Sequence, residues 1–369
     1  MPRILIAVFS LAALLVSGGC NKTSQSETAE SARVRIGYVG LTCEASIFAA
    51  YEKGFFKAEG LEPELIKCSW QNYKDSLAHG DYDITQHLVM YFLKPIEEGV
   101  DVKFTGGIHR GCLRVQAGNN SNINSIADLK GKRIGVPGLG TPPFIFASRV
   151  LRDNGIDAGK DITWKVYRPG ELGLAIEKGE VDAVANAEPI GSLLLAKGIV
   201  HNVADLGAQQ PYSDEYCCAV VVNGKWMKAN PKAAAAATRA LLRGAKWVQT
   251  NPAAAAHLSV EKKYVASDPD LNAAAISHLN YIPGVSKAES SIMTAAKGMQ
   301  AADMLGPTTN LDQLAKSAFV HLDGVTDKWI EQLQVEKVAG GQLPPGWRIA
   351  QLAKVVVSGK DGCCRLETK

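Results

Sequence analysis

The sequence has almost no net charge, since 40 lysines and arginines are balanced by 37 aspartates and glutamates, which leaves +3 at neutral pH. It also lacks a basic stripe interleaved with aromatic residues, and aromatics make up only 7% of the chain. Surfaces that bind nucleic acid need such basic patches to neutralise phosphates. The composition therefore excludes nucleic acid as the expected partner.

Long apolar runs are also scarce. A membrane-spanning helix needs about 20 consecutive apolar residues. The longest apolar stretch is shorter than that and lies at the N-terminus, where Arg3 precedes residues 4–16 and the small residues Ser17-Gly18-Gly19. A basic start, a short apolar core and small residues predict a secretory signal peptide over residues 1–19.

Cys20 directly follows these small residues. The arrangement resembles a bacterial lipobox, which implies that Cys20 becomes the lipidated first residue of the mature protein. Ser17 stands where a lipobox usually has leucine or valine, so ordinary signal-peptide cleavage stays open. The polar residues 20–32 predict a flexible tether. We therefore expect an exported protein, either periplasmic or held to the membrane as a lipoprotein.

The first strands and helix of the folded part follow one another closely. An apolar run at residues 34–40 leads into apolar residues at helical spacing over 47–55, and a second apolar run covers 62–66. This is the pattern of two parallel strands joined by a crossover helix. The predicted fold class is therefore α/β.

The chain also repeats a short phrase, first as Gly80-Asp81-Tyr82-Asp83-Ile84 and later as Gly179-Glu180-Val181-Asp182-Ala183. Each copy combines a glycine that stops a helix with an acidic turn before a strand, which predicts two related α/β lobes. Two crossings between the lobes, near residues 112–117 and 217–222, form the predicted hinge. The expected organisation is lobe 1 at 33–112 and 217–323, lobe 2 at 113–216, and a C-terminal extension at 324–369.

Three segments resemble the solute-binding proteins of nitrate, sulfonate and taurine ABC importers. They are the helix phrase at 49–61, the phrase Asp128-Leu129-Lys130-Gly131-Lys132-Arg133-Ile134-Gly135-Val136, and the two helices that begin at Asn230-Pro231 and Asn251-Pro252. The resemblance covers residues 33–310 and implies a type II periplasmic binding protein fold of two α/β lobes. It also implies one small ligand, passed on to an ABC permease and ATPase.

In a two-lobed α/β binder, ligand contacts come from loops after strands and from helix N-termini that face the cleft. The Gly140-Thr141 pair at a helix start is a candidate for anion contact or for a simple helix cap. The residues predicted to bind the ligand are Thr42, Cys43, Glu44, Trp70, Gln71, His109, Cys112, Gly140, Thr141, Glu171, Asn186, Glu188, Tyr216, Cys217 and Cys218.

Cysteines are concentrated at these loops rather than scattered through helices and strands. No Cys-x-x-Cys spacing occurs, and three interpretations stay open. The thiols form disulfides, as is usual in exported proteins; they line the pocket of an organic ligand; or they bind a thiophilic metal. The candidate metal ligands are Cys43, Cys112, Cys217, Cys218 and His109.

Basic residues are rare near the predicted site, where we expect only Arg110 and Arg168. Because Glu44, Glu171 and Glu188 are predicted to face the cleft, a cationic, zwitterionic or metal-containing ligand is favoured over the anions of the resembled family.

The sequence predicts neither a catalytic residue nor a cofactor, and the chain is expected not to be an enzyme. Tyr216-Cys217-Cys218 is nevertheless similar in placement to a cysteine-rich run of the fungal thiamine-pyrimidine synthases. That resemblance implies an enzyme as the alternative function. A membrane-anchored sensor that passes its ligand to a receptor is a second alternative.

Overall fold

The structure is a computed structural model that describes residues 32–342. The predicted signal peptide, Cys20, almost all of the predicted tether and the Cys363-Cys364 pair lie outside these residues. The strands of the described part are β1 (Ala32–Tyr38), β2 (Leu61–Lys67), β3 (Ile84–Leu88), β4 (Val102–Arg110), β5 (Leu113–Gly118), β6 (Arg133–Val136), β7 (Thr163–Val166), β8 (Ala183–Ala187), β9 (Val200–Asp205), β10 (Cys218–Asn223) and β11 (Asn280–Gly284).

Helices cover both sheets. They are α1 (Ala45–Glu52), α2 (Phe55–Ala58), α3 (Tyr73–His79), α4 (Val89–Glu97), α5 (Pro142–Asp153), α6 (Leu172–Glu177), α7 (Ile190–Ala196), α8 (Gly224–Ala229), α9 (Pro231–Thr250), α10 (Pro252–Glu261), α11 (Pro269–Ser277), α12 (Ser286–Ala301), α13 (Leu311–Ala318) and α14 (Asp327–Gln332). No helix within residues 32–342 has the length and apolar character that a bilayer crossing demands.

The eleven described strands form two mixed sheets, which confirms the predicted α/β class. The first has the order β11-β4-β10-β3-β1-β2 and the second has the order β7-β6-β8-β5-β9. In each sheet a parallel trio, β3-β1-β2 or β8-β6-β7, is extended by an antiparallel strand, β10 or β5. The chain enters the second sheet through β5 and returns to the first through β10.

The repeated glycine–acid phrase has the same structural role in both sheets. Gly80 and Gly179 adopt left-handed backbone angles, with φ of 84° and 65°, where helices α3 and α6 end. The acidic residue that follows then binds an arginine on the neighbouring strand: Asp83 binds Arg35 of β1, and Asp182 binds Arg133 of β6. The internal similarity seen in the sequence thus corresponds to a repeated turn.

Helix α9 packs closely on α1 and fixes its position. The sequence predicted that this helix begins at Pro231, and the structure confirms that start. A Cβ added at Gly244 of α9 would lie 2.3 Å from the carbonyl oxygen of Ser46 in α1, so only glycine allows this approach. Because a short turn carrying Cys43 leads directly into α1, this packing also fixes the position of that cysteine.

Candidate functional site

The ends of four elements meet at one edge of the first sheet. Cys43 lies in a 3-10 turn, Thr42–Glu44, that follows β1. Strand β10 runs between β3 and β4, and its first residue, Cys218, is paired with Leu88 on one side and with His109 on the other. Cys112 lies in the short link from β4 to β5. Parallel strand ends and both crossings between the sheets therefore converge here.

Four thiols come together at this edge. Cys43, Cys112, Cys217 and Cys218 are each at most 5% exposed. Cys112 and Cys218 are each a neighbour of both Cys43 and Cys217, so the four side chains form a closed series. All four are free thiols, and so is Cys68, which is half-buried and donates to the carbonyl oxygen of Ile66. None of the five cysteines within residues 32–342 forms a disulfide.

The four thiols do not share the same protonation preference. Hydrogen bonds from Cys217 and Cys43 hold the pKa of Cys112 well below its usual range, with further help from His109 and from the backbone N–H of Glu188. Burial raises the pKa of Cys217 and of Cys218, and the neighbouring Cys112 raises that of Cys43. These opposite shifts favour the thiolate form at Cys112 over the other three thiols.

His109 presents a free lone pair to the cluster. Its Nδ1 lies 3.3 Å from the carbonyl oxygen of Arg110, which can only accept, so Nδ1 carries the proton in the neutral ring. Its Nε2 is buried and has no hydrogen-bond partner among residues 32–342. Burial lowers the pKa of His109, which favours the neutral ring. A ring nitrogen of His109 and the sulfur atoms of Cys43 and Cys218 lie within 4.8 Å of one another.

Three polar residues that sequence reasoning missed hold the turn of Cys43 in place. The hydroxyl of Tyr281 donates to the carbonyl oxygen of Cys43 at 2.8 Å, and the side-chain amide of Gln86 donates to the same oxygen. Thr42 donates to Oδ1 of Asn272 at 2.6 Å. Gln86 lies in a strand whose five residues are all buried, and Asn272 interrupts an alanine-rich helix. Polar residues in buried elements were therefore the signal that would have found these two.

Trp70 forms an aromatic wall with His87. Its ring meets the edge of His87 at a centroid distance of 5.4 Å, and Tyr91 lies 5.3 Å from His87 on another side. Nδ1 of His87 accepts from the backbone N–H of Leu88, so Nε2 carries the proton. Burial lowers the pKa of His87 to about 3, which keeps the ring neutral. His87 therefore offers a donor, in contrast to the lone pair of His109.

The second sheet contributes Asn186, near the end of β8, and Glu188, which directly follows that strand. Glu188 is fully buried and forms an ion pair with Arg114, which also binds Asp205 at 3.0 Å. The expectation that only Arg110 and Arg168 supply positive charge here was wrong, because β5 places Arg114 in contact with Glu188. Asn186 donates to Gln116 at 2.8 Å, and its Oδ1 has no partner in the described part of the chain.

Glu44 is also engaged in structure. Its carboxylate accepts the backbone N–H groups of Val39, Gly40 and Leu41. Burial raises the pKa of Glu44 to about 7. Glu44 accepts hydrogen bonds from its own turn, and Glu188 is neutralised by Arg114. Neither carboxylate therefore needs a bound cation to balance its charge. The acidic residues therefore give less support to a cationic ligand than their sequence positions suggested.

The other predicted binding residues lie in two environments. Tyr216 is buried, donates to the carbonyl oxygen of Ile282 at 2.5 Å and stacks under the guanidinium of Arg110 at 5.4 Å. Gln71, Gly140 and Glu171 are exposed, and the hydroxyl of Thr141 donates to the carbonyl oxygen of Gly138 at 2.6 Å. The buried thiol cluster therefore does not include these four.

Comparison of the sequence with known proteins assigns this chain to a protein family. Residues 27–260 match the model of the NMT1-like family. The nitrate/nitrite binding protein NrtA of Synechococcus elongatus is 24% identical over 250 residues, which are 59% of this chain and 55% of that protein. The chain thus spans about half the length of the curated relatives it matches.

Comparison of the fold finds solved structures of periplasmic binding proteins. The alkanesulfonate-binding protein SsuA of Xanthomonas axonopodis superposes with a TM-score of 0.65 at 19% identity, over 79% of this chain and 99% of that one. The periplasmic nitrate-binding protein NrtA of Synechocystis superposes with a TM-score of 0.66 at 16% identity, over 79% and 86%. These matches confirm both the predicted periplasmic binding protein fold and the resemblance to nitrate- and sulfonate-binding proteins.

Proposed function

Because this chain belongs to the NMT1-like family, we propose that it is an extracytoplasmic solute-binding protein that delivers a small ligand to an ABC importer. The ligand is enclosed where the two sheets meet, in a cleft lined by Cys43, Cys112, Cys217 and Cys218. The named relatives bind nitrate, nitrite and alkanesulfonate, and a small solute is the corresponding ligand here.

One observation carries the proposal. Two of the buried side-chain atoms that have no hydrogen-bond partner within residues 32–342 are Nε2 of His109 and Oδ1 of Asn186; they belong to different sheets, and both lie beside the crossings that join those sheets. In open α/β sheets, ligands bind beyond the carboxyl ends of the strands. Rotation about two crossings closes such a cleft on its ligand and opens it again, which is what a delivery protein requires.

Ligand binding by the purified full chain tests this function. A panel of nitrate, nitrite, aliphatic sulfonates, heteroaromatic pyrimidines and metal salts is screened by thermal shift, and each hit is measured by calorimetry and small-angle X-ray scattering. We expect one ligand per chain, a smaller radius of gyration when it is bound, and recovery of the ligand unchanged. Recovery of a chemically altered compound would instead support the synthase-like enzyme.

The anchoring part of the proposal has its own test. We propose that Cys20 carries the lipid that keeps the protein at the membrane, as its place after Ser17-Gly18-Gly19 suggests. The Cys20→Ser chain is expected to move from the membrane fraction to the soluble extracytoplasmic fraction and to lose the mass of the acyl groups. Continued membrane retention of the variant would refute the lipid anchor.

A further inference from the structure

We propose that the sulfur atoms of Cys43 and Cys218, together with Nε2 of His109, bind one thiophilic metal cation of the Zn²⁺ class. The identification of this cation as the delivered ligand rests on the proposed function, whereas the site itself does not.

The spacing of the three atoms suits a single ion. Zinc binds thiolate sulfur at about 2.3 Å and imidazole nitrogen at about 2.0 Å, so two sulfur ligands of one ion are at most about 4.6 Å apart. The atoms of Cys43, Cys218 and His109 already lie within 4.8 Å of one another. In a tetrahedral site two such sulfur atoms are about 3.8 Å apart, so side-chain movements of up to about 1 Å would complete the coordination.

The orientation of His109 is that of a metal ligand. Histidines that bind metals usually donate the other ring N–H to a carbonyl or carboxylate, which fixes the tautomer and turns the lone pair toward the ion. His109 meets this condition through the carbonyl oxygen of Arg110. Nε2 of His109 is buried and has no hydrogen-bond partner among residues 32–342, an arrangement that is costly in a folded protein and that a bound ion would satisfy.

Charge and softness select the class of ion. The thiolates of Cys43 and Cys218 balance the charge of a divalent cation, and the imidazole of His109 adds none; with Cys112 as a fourth, thiolate ligand the site would carry one net negative charge. Sulfur and imidazole ligands prefer Zn²⁺ and related soft ions over Mg²⁺ or Ca²⁺, which bind oxygen. Binding releases the protons of Cys43 and Cys218 to the solvent.

Cys112 is the residue best placed to complete four-coordination. Its thiol contacts that of Cys43, and it lies in the link from β4 to β5. Its backbone φ is 119°, a conformation that residues with a Cβ rarely adopt and that is often kept for function. The next residue along the chain, Leu113, is the first residue of β5 in the second sheet. An ion bound here would therefore touch both sheets.

The test uses the full chain, reduced and stripped of metal with a chelator. Zn²⁺ is titrated by calorimetry, and Co²⁺ is used as a visible probe, because thiolate ligands give a sulfur-to-cobalt charge-transfer band. We expect one ion per chain and intense tetrahedral cobalt bands. Cys43→Ser, Cys218→Ser and His109→Gln should each weaken Zn²⁺ binding about tenfold or more. Cys68→Ser, which removes a thiol outside the cluster, should bind as the parent does.

Several outcomes would overturn the site. They are equal affinity in the three ligand variants and the parent, a cobalt spectrum without the sulfur band, or a disulfide within the cluster of protein isolated from cells. If a variant fails to fold by circular dichroism, the cobalt spectrum of the parent still decides.

Small-angle scattering tests the metal site and the proposed delivery function independently of each other. Closure of metal-free protein around an organic solute would keep the function and remove the metal as its ligand. Stoichiometric metal binding without any change in the radius of gyration would keep the site and contradict its role as cargo.

Discussion

Cys112 combines a depressed thiol pKa with an unusual backbone. It follows Gly111, and both residues have positive φ, at 119° and 80°. Residues with a Cβ pay about 1–3 kcal/mol for such conformations, and this cost is borne where the chain crosses between the sheets. The side chain must therefore supply something that glycine at this position would not, which we assign to the thiol.

Replacing Cys112 separates backbone strain from side-chain chemistry. Both Cys112→Gly and Cys112→Ala remove the thiol, but only glycine is free of strain at this φ. We expect Cys112→Gly to be more stable than Cys112→Ala by about 1 kcal/mol, measured by urea unfolding, while both bind the ligand more weakly. Equal stability of the two variants would show that the backbone here is not strained.

Asp182 gives a prediction on pH. The hydrogen bonds from Arg133 hold its pKa below the usual range. A carboxyl group with a lowered folded-state pKa stabilises the fold above its unfolded pKa of about 3.9, and this stability is lost as the pH falls through the folded pKa. Because the pair is partly exposed, Asp182→Asn should cost only about 1 kcal/mol at neutral pH.

That cost should shrink toward zero as the solution is acidified. Urea unfolding of Asp182→Asn and the parent at neutral and acidic pH measures it. The exposed Asp323→Asn is the control, and it should leave stability unchanged throughout. A difference between Asp182→Asn and the parent that did not vary with pH would contradict an electrostatic role for the pair.

At the scale of elements, helix α5 is held to the returning chain by one buried ion pair. Arg149 of α5 binds Glu215 through two hydrogen bonds of 2.9 and 2.7 Å, with the two side chains 2% and 4% exposed. Gly298 in α12 makes room for it, since a Cβ there would lie 2.4 Å from Nε of Arg149. Helices from both sides of the molecule thus pack around this guanidinium.

Breaking the pair should be costly, and removing both charges should not be. Arg149→Met leaves Glu215 buried without a partner and should lower the free energy of unfolding by about 3 kcal/mol or more. The double variant with Glu215→Gln should recover most of that loss. On the same helix, Arg152 pairs with Asp303 in solvent, so Arg152→Ala should cost less than about 1 kcal/mol. A double variant no more stable than Arg149→Met would show that packing, not charge, is what Arg149 provides.

At the scale of the molecule, the two sheets touch through small contacts as well as through the crossings. One is an apolar cluster in which Ala196 of α7 meets Leu271 and Ala274 of α11. A contact of three side chains can separate at low cost, as a cleft that opens and closes requires.

A charge placed in that cluster should favour the open form. In Ala196→Glu the carboxylate avoids burial by moving into water as the sheets separate. We expect a larger radius of gyration by small-angle scattering and weaker ligand binding, with the far-ultraviolet circular dichroism unchanged. An exposed change on the same helix end, Lys197→Glu, is the control and should alter neither quantity. An unchanged radius in Ala196→Glu would show that this cluster does not govern closure.

Much of the fold followed from local patterns. The strand at 113–117, the helices that begin at Pro231 and Pro252, and the paired glycine–acid turns all depend on residues close in sequence. The second crossing was predicted near residues 217–222, and the strand there begins at Cys218, because residues 212–214 form a 3-10 turn before it. Boundaries of this kind depend on contacts that local periodicity does not contain.

The α/β class, the internal repeat and the family follow from the amino-acid sequence, because they depend on periodicity, on glycine stops and on short phrases. The sequence also placed Cys43, Cys112, Cys217, Cys218 and His109 at strand ends. The three-dimensional fold was needed to show that these groups meet, that Arg114 neutralises Glu188 and that Nε2 of His109 has no partner within residues 32–342. The reason is that β10 is inserted between β3 and β4, and strand order and register bring together residues that are far apart along the chain.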